Sequence, residues 1–213
     1  GGILTSSAAP GDTFLEGVTM VTFTATDFHG NQSTASFQVT VIDDELPVIL
    51  GMPADITQSN DPGSCGAVVT WTEPTAVDNC EIATLTSSHL AGAFFDVGTT
   101  TVTYTATDIH GNQSTASFNV TVTDNELPVI LGLPAEITQP NDPGICGAAV
   151  TWTEPTVSDN CGGAALVEAS TIPPYFEIGT TTVTYVAQDA FGNVTFFDIS
   201  ITVVDMESPV LEA

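Results

Sequence analysis

The sequence contains no lysine and no arginine, against 26 aspartates and glutamates, so its formal net charge is −26. Without basic side chains the chain cannot form the usual salt bridges, and nucleic acid or an anionic membrane surface would repel it. Where the fold brings carboxylates together, only dissolved cations can neutralise them, because two carboxylates about 4 Å apart repel by about 1 kcal/mol even in water. The composition therefore argues against nucleic acid as a partner and raises the question of bound cations.

Long apolar runs and catalytic motifs are also absent from the sequence. No stretch reaches the roughly 18 apolar residues of a membrane-spanning helix, so we expect no membrane insertion. There is no G-x-S-x-G, H-E-x-x-H or phosphate-binding loop. His29 and His110 occupy equivalent turns, but Phe191 takes that place further on, which favours solvated turn residues over a catalytic or metal-binding role. We expect no enzyme.

One stretch of the sequence occurs twice with a single difference, as TATDFHGNQSTASF from Thr24 and as TATDIHGNQSTASF from Thr105. The spacing of 81 residues recurs along the chain, and it exceeds the 20–47 residues typical of solenoid repeats. A unit of this length can hold its own core. The period predicts a partial repeat at 1–43 (repeat 1), complete repeats at 44–124 (repeat 2) and 125–205 (repeat 3), and the first strand of a further repeat at 206–213.

Within repeat 2, apolar and polar residues alternate as in strands with one buried face. Val102, Tyr104 and Ala106 fall on one face, and the threonines between them fall on the other. The Gly and Asn of the following IHGN stretch suit a turn that needs positive φ. With the other short alternating segments, the pattern predicts an all-β fold with about seven strands per repeat, folded as a sandwich.

Each complete repeat contains two cysteines, 15 positions apart, and no His or further Cys at zinc-binding spacing. We therefore predict disulfides between Cys65 and Cys80 and between Cys146 and Cys161, each contributing roughly 3 kcal/mol in the chain-entropy model. Such bonds persist outside the cytosol. Buried free thiols are the alternative.

Taken together, these segments resemble a known family. ELPVI, CGAVVTWTEPTAVDNC, VGTTTVTYTATD and SFNVTV follow one another as in the hyalin repeat (HYR) family, and the resemblance covers nearly the whole chain. It implies tandem immunoglobulin-like β-sandwich domains, arranged as beads on a string, in extracellular or cell-surface proteins that are often adhesive or matrix-forming. It implies no catalytic apparatus, and it does not explain the absence of basic residues.

Acidic residues gather in the linkers between repeats and in loops that would face those linkers. In an immunoglobulin-like bead, the B–C and F–G loops lie at one end of the sandwich. Calcium takes six to eight oxygen ligands, so we expect Ca²⁺ to bind and stiffen each junction; ordinary turn-forming Asp and Asn are the alternative. The candidate ligands are Asp43, Asp44, Glu45, Asp78, Asn79, Asp108, Asn112, Asp124, Asn125, Glu126, Asp159, Asn160, Asp189, Asn193, Asp205 and Glu207.

Three of the asparagines fit a second hypothesis. Asn31, Asn112 and Asn193 lie at the same turn of successive repeats and begin N-glycosylation sequences. A glycan would compete with a metal ion for these side chains.

The sequence thus predicts a structural extracellular protein whose repeats form a calcium-stabilised fibre, sheath or stalk, with neighbouring repeats or subunits as partners. The alternative is a cell-surface adhesin that binds an extracellular protein or glycan, for which residues 172–176 would supply exposed aromatics. A segment of a longer array is favoured over chains that polymerise by strand donation, because the eight residues of 206–213 cannot replace several missing strands.

Overall fold

The computed structural model describes residues 1–134, 136–168, 170 and 172–209, and these contain strands and turns but no helix. None of the described segments could therefore cross a membrane as a helix. The predicted all-β class is confirmed. The strands, in chain order, are β1 Ile3–Ser6, β2 Gly17–Thr26, β3 Gln32–Val41, β4 Val48–Leu50, β5 Ile56–Ser59, β6 Gly66–Val68, β7 Thr75–Val77, β8 Ile82–Ser87, β9 Phe94–Asp96, β10 Gly98–Asp108, β11 Gln113–Thr123, β12 Val129–Leu131, β13 Glu136–Pro140, β14 Gly147–Ala148, β15 Thr156–Ser158, β16 Ala165–Glu168, β17 Phe176–Glu177, β18 Gly179–Gln188 and β19 Val194–Val204.

The chain divides into two compact units, each of which contains one of the predicted junctions between complete or partial repeats. The first unit comprises residues 1–52, 73–88 and 103–117, and the second comprises residues 53–72, 89–102 and the chain from 118 onwards. Strands β10 and β11 contribute residues to both units. Within the described residues, repeats 2 and 3 each contain eight strands, close to the seven expected.

In the first unit, repeat 1 forms an antiparallel sheet with the order β1-β2-β3. Strands β2 and β3 are paired along their full lengths, from Gly17 opposite Val41 to Thr26 opposite Gln32. In the same unit, β4 pairs with β7, and β8 pairs with the end of β10. This arrangement places the linker after β3 and two loops of repeat 2 in one unit.

In the second unit, the part contributed by repeat 2 has its own core. Strand β5 runs parallel to the end of β11, and β6 pairs antiparallel with β9. Trp71 packs edge-on against Phe95 and Phe118, with ring centroids 5.9 and 5.2 Å away. Val102, Phe118 and Val120 are at most 3% exposed, which confirms the buried face that the alternation predicts.

Repeat 3, also in the second unit, has a four-stranded sheet of order β13-β19-β18-β16 and two short pairs, β14-β17 and β12-β15. Its core joins the four-stranded sheet to the β14-β17 pair, as in a sandwich. The core residues are Ala148, Phe176, Val183, Tyr185, Ile199, Ile201 and Val203. Residues 206–209 form no strand, and the rest of the strand predicted at 206–213 lies outside the described residues.

Candidate metal sites at the repeat junctions

The β10–β11 hairpin of repeat 2 is closed by one aspartate. Oδ1 of Asp108 accepts hydrogen bonds from the backbone N–H groups of His110 (2.8 Å) and Asn112 (2.9 Å), and Oδ2 accepts one from Asn112 Nδ2 (2.7 Å). Gly111 takes a φ of 92°, which only glycine adopts readily. Burial opposes ionisation of Asp108, but these hydrogen bonds outweigh it and lower its pKa. Asp108 and Asn112 therefore act first as turn residues.

The same asparagine ties the hairpin to the preceding linker. Asn112 Nδ2 donates to the backbone carbonyl of Asp43 at 3.1 Å, and Asn193 Nδ2 donates to that of Asp124 at 3.2 Å. Asn193 also closes its own hairpin by bonding Asp189 Oδ2 at 2.7 Å. At both junctions the hairpin and linker predicted to meet do meet, but through hydrogen bonds that occupy these side chains.

The second junction contains two buried carboxylate oxygens with no hydrogen-bond partner. They are Oδ2 of Asp124, a residue only 6% exposed, and Oδ1 of Asp159. A carboxylate oxygen of each and Cys161 Sγ lie within 4.8 Å of one another. Burial, followed by the charges of Asp159, Asp189 and Glu126, raises the pKa of Asp124 even though it accepts the Glu126 N–H. A cation bound between these two carboxylates would offset their mutual repulsion.

The first junction differs because a histidine occupies the space beside its linker aspartate. His110 Nδ1 lies 3.3 Å from Asp43 Oδ2, and His110 Nε2 lies 2.5 Å from Glu16 Oε1. Asp78 Oδ1, the counterpart of Asp159 Oδ1, is likewise buried without a partner. His110 is an exposed turn residue, as predicted, but its ring also lies between two carboxylates. At position 191 the second junction has phenylalanine instead.

Several of the predicted ligands are engaged elsewhere. Glu126 accepts the Gly63 N–H with both carboxylate oxygens at 2.9 Å, and Asn60 Nδ2 donates to it at 3.2 Å. Asn125 Nδ2 bonds Ser59, and Asn160 Nδ2 bonds the Ser64 carbonyl at 2.9 Å. Further along, Glu207 accepts the Gly144 N–H and Asp205 accepts the Glu207 N–H. Asn79 makes a 3.4 Å contact with Asp43, while Asp44 and Glu45 are exposed.

The predicted disulfide pairing is wrong. Cys65 bonds Cys161 in the second unit, with Cα atoms 4.6 Å apart, and the bond links repeat 2 to repeat 3. Cys80 and Cys146 are exposed and form no disulfide. In repeat 2, β6 and β7 lie between Cys65 and Cys80, and the two cysteines fall in different units. In repeat 3, Cys161 is already bonded to Cys65, which leaves Cys146 without a disulfide. Partial loss of solvation, a hydrogen bond with Asp43 and neighbouring carboxylates raise the pKa of the Cys80 thiol.

Residues 172–176 do not present the exposed aromatics expected from the sequence. Phe176 is only 2% exposed, and its ring centroid lies 6.2 Å from that of Trp152. The glycosylation hypothesis stays a prediction. At Asn112 and Asn193 a glycan would have to replace the hydrogen bonds that close the hairpins, whereas Asn31, which bonds Asp27 Oδ2 at 2.9 Å, is exposed.

The fold and the junctions define a class of protein: tandem all-β modules with acidic linkers, in which one junction is crossed by a disulfide. The HYR domain model matches residues 2–41, 42–122 and 123–203, and the chain belongs to the HYR domain family. Proteins of this kind are extracellular or cell-surface, and structural or adhesive, so the chain is an extracellular repeat module.

Two curated relatives are hyalins. Hyalin of Lytechinus variegatus is 39% identical over 97% of this chain and 40% of its own length, and hyalin of Strongylocentrotus purpuratus is 41% identical over 98% of this chain and 18% of its own length. The chain thus spans less than half of either relative. Among solved structures, a protocadherin gammaB7 EC3-6 cis-dimer is similar over 92% of this chain and 62% of that chain, with 18% identity and a TM-score of 0.36.

Proposed function

We propose that the chain is a structural segment of an extracellular fibre, sheath or stalk, in which calcium and disulfides stiffen the joints between HYR repeats, and that it is not an enzyme. The observation that carries the proposal is the pair of unpartnered, buried oxygens on Asp124 and Asp159 beside the Cys65–Cys161 bond. The disulfide holds the two repeats together at this junction, while the carboxylates of Asp124 and Asp159 repel each other beside it. A cation bound by both carboxylates would replace this repulsion with attraction and so stiffen the junction.

The residues at the second junction can supply only part of a calcium coordination shell. Hard carboxylate oxygens are the ligands that calcium prefers, and Asp124 and Asp159 can supply between two and four of them. The remaining positions of a six- to eight-coordinate ion would be filled by water, because the other candidate ligands hold loops in place. Such a small set suits the weak sites of extracellular modules, with dissociation constants on the order of 10⁻⁴–10⁻³ M.

At the first junction the same proposal gives a weaker calcium site. The His110 ring contacts both Asp43 and Glu16, and it lies where the second junction has Phe191. Calcium would have to compete with this ring for Asp43. We therefore expect the second junction to account for most of the calcium response.

The test is thermal unfolding of the chain with calcium and with chelator. At a free calcium concentration about ten times the dissociation constant, binding should stabilise the folded chain by about 1.4 kcal/mol. Asp124→Asn should remove most of this gain and also raise the melting temperature in chelator, because it removes a repelled buried charge. Asp96→Asn, at an exposed residue outside the junctions, is the control. No calcium response in the parent chain contradicts the calcium part of the proposal.

An adhesin that binds a protein or glycan remains the second candidate function. Its sequence support was the segment at 172–176, and the burial of Phe176 weakens that support. Binding of extracellular glycan or protein by the isolated chain, lost on substitution of surface residues, would favour it over the structural role.

A further inference from the structure

The Cys65–Cys161 disulfide lies against the two unpartnered carboxylates of the second junction. A carboxylate oxygen of Asp124, one of Asp159 and Cys161 Sγ all lie within 4.8 Å of one another. In the part of the chain that the structure describes, Asp124 Oδ2 and Asp159 Oδ1 are buried without a hydrogen-bond partner, and Asp124 is only 6% exposed. Because Cys65 Sγ is bonded to Cys161 Sγ, two sulfurs and two oxygens lie in one cluster.

The disulfide keeps these sulfurs from binding a metal ion, because the thiolate is the form of cysteine that acts as a metal ligand. While the bond is intact, the cluster offers a cation only carboxylate oxygens. A dithiol reductant supplies two electrons and two protons, the S–S bond breaks, Cys65 and Cys161 become thiols, and the dithiol leaves as a cyclic disulfide. Reduction therefore adds two sulfur donors to the two oxygens.

Hydrogen bonds independent of the disulfide hold the Cys65 loop at the junction. Glu126 accepts the Gly63 N–H with both carboxylate oxygens at 2.9 Å, and Asn160 Nδ2 donates to the Ser64 carbonyl at 2.9 Å. Neither contact requires the S–S bond. We therefore expect the Cys65 sulfur to stay near the cluster after reduction.

The two aspartates are held in the same way, each by one oxygen. Asp159 Oδ2 accepts the Cys161 N–H at 2.8 Å, so this aspartate positions the cysteine that follows it. Asp124 Oδ1 accepts the Glu126 N–H at 3.2 Å. In each aspartate the other oxygen is the buried, unpartnered one, so a metal ion can bind it without breaking a hydrogen bond.

Two sulfurs and two carboxylate oxygens make a donor set that suits zinc. Zinc is usually tetrahedral, with bonds of about 2.3 Å to sulfur and about 2.0–2.2 Å to oxygen. These lengths put neighbouring donors about 3.4–3.8 Å apart, so donors that already lie within 4.8 Å need only small movements. Thiolate ligands also favour zinc over calcium, which takes oxygen ligands.

We propose that reduction of the Cys65–Cys161 disulfide by a dithiol converts the second junction into a zinc site, whose four ligands are the two thiolates and the carboxylates of Asp124 and Asp159. Zinc binding releases the two thiol protons to the solvent, and the charge of the ion offsets the repulsion between the carboxylates. Repeats 2 and 3 are then cross-linked in either redox state, by the disulfide or by the metal ion. The zinc site shares two residues with the proposed calcium site but does not depend on calcium binding.

The experiment uses the 213-residue chain with Cys80→Ser and Cys146→Ser, which remove the other two cysteines. The chain is reduced with dithiothreitol, the reagent is removed without air, and Co²⁺ is added as a spectroscopic probe in the absence of calcium. We expect the reduced chain to bind one equivalent of Co²⁺ with the near-ultraviolet absorption of a cobalt–thiolate bond, and Zn²⁺ to displace it. The oxidised chain should show no such absorption. Its response to calcium is measured separately, so either proposal can fail without the other.

Substitution of the aspartates distinguishes the proposed site from a pair of thiols alone. In the reduced chain, Asp124→Asn and Asp159→Asn should each weaken zinc binding about ten-fold or more, since loss of even an outer-shell partner costs about 10–100-fold. Asp96→Asn, at an exposed residue outside the junctions, is the control and should leave the affinity unchanged. Equal affinity in the parent and all three variants, or equal binding by the oxidised chain, would overturn the proposal.

A variant with a single thiol tests the site without a reductant. Cys65→Ser in the same background leaves Cys161 beside the two aspartates, and it should bind Co²⁺ with about half the thiolate absorption of the reduced chain. Circular dichroism and thermal unfolding follow the fold of both forms, and zinc should raise the melting temperature of each. If both forms are unfolded and zinc restores neither, the junction does not hold the four ligands together and the proposal is wrong.

Discussion

Cys65 and Cys161 are joined by a disulfide although they are 96 positions apart in the chain and belong to successive repeats. The bond closes the second junction beside Asp124 and Asp159. It therefore links two repeats covalently, whereas the pairing expected from sequence spacing would have linked each repeat only to itself.

The disulfide is expected to be the main covalent contribution to the stability of the second unit. Cys161→Ser should lower the free energy of unfolding by about 2–4 kcal/mol in denaturant titrations, because it removes a long closed loop. Cys80→Ser and Cys146→Ser should leave it nearly unchanged, since neither residue is bonded. Peptide mapping that finds Cys65 linked to Cys80 would contradict the pairing.

The hairpin aspartates Asp189 and Asp27 should contribute differently to the free energy of unfolding, because Asp189 is buried and Asp27 is exposed. Asp189→Ala removes the acceptor for Phe191 N–H, Asn193 N–H and Asn193 Nδ2, and we expect a loss of about 1–3 kcal/mol in unfolding experiments because these donors are partly buried. Asp27 makes equivalent bonds in an exposed turn, so Asp27→Ala should cost much less. Equal losses would show that burial does not set the cost.

The pKa of Asp27 offers a direct check of the turn geometry. The Asn31 side chain and backbone hydrogen bonds hold this pKa below its ordinary value of 3.8. Because the folded pKa is lowered, the stabilisation is present above 3.8 and is lost as the pH falls through the folded pKa. Asn31→Ala should raise the pKa of Asp27 in an NMR titration, whereas Gln32→Ala, which loses only a contact with Thr26, should not.

Glu126 is expected to hold the loop that carries Cys65 in its folded position. Glu126→Gln replaces a carboxylate that binds the Gly63 N–H through both oxygens, and we expect weaker hydrogen-exchange protection of that amide, corresponding to about 1 kcal/mol. Glu45→Gln, at the equivalent position of the preceding linker, should leave the protection of Gly63 unchanged. Unaltered protection in Glu126→Gln would show that the disulfide alone fixes the loop.

Much of the fold follows from local pattern. The alternation around Val102 and Phe118 predicts which face is buried, because the side chains of a strand point alternately to its two sides. The Gly and Asn of the hairpin predict the turn, since a positive φ favours glycine. Both depend on residues close together in the sequence, and both are confirmed.

The junctions were harder to predict, because the partners there come from distant parts of the chain. The acidic linkers and loops were expected to meet, and Asn112 and Asn193 do reach the linker carbonyls. The sequence could not show that most of the predicted ligands would also form hydrogen bonds with backbone groups. Nothing in the sequence indicated that His110 would contact Glu16, because the two residues are 94 positions apart.

By itself, the sequence determined the repeat period, the strands, the turns and the acidity at each boundary, because all of these arise from residue type and short-range spacing. The tertiary structure decided which cysteines bond and which carboxylates remain unpartnered. The physical reason is that these contacts join residues distant in the sequence: Cys65 bonds Cys161, 96 positions away, whereas Cys80 falls in the other unit.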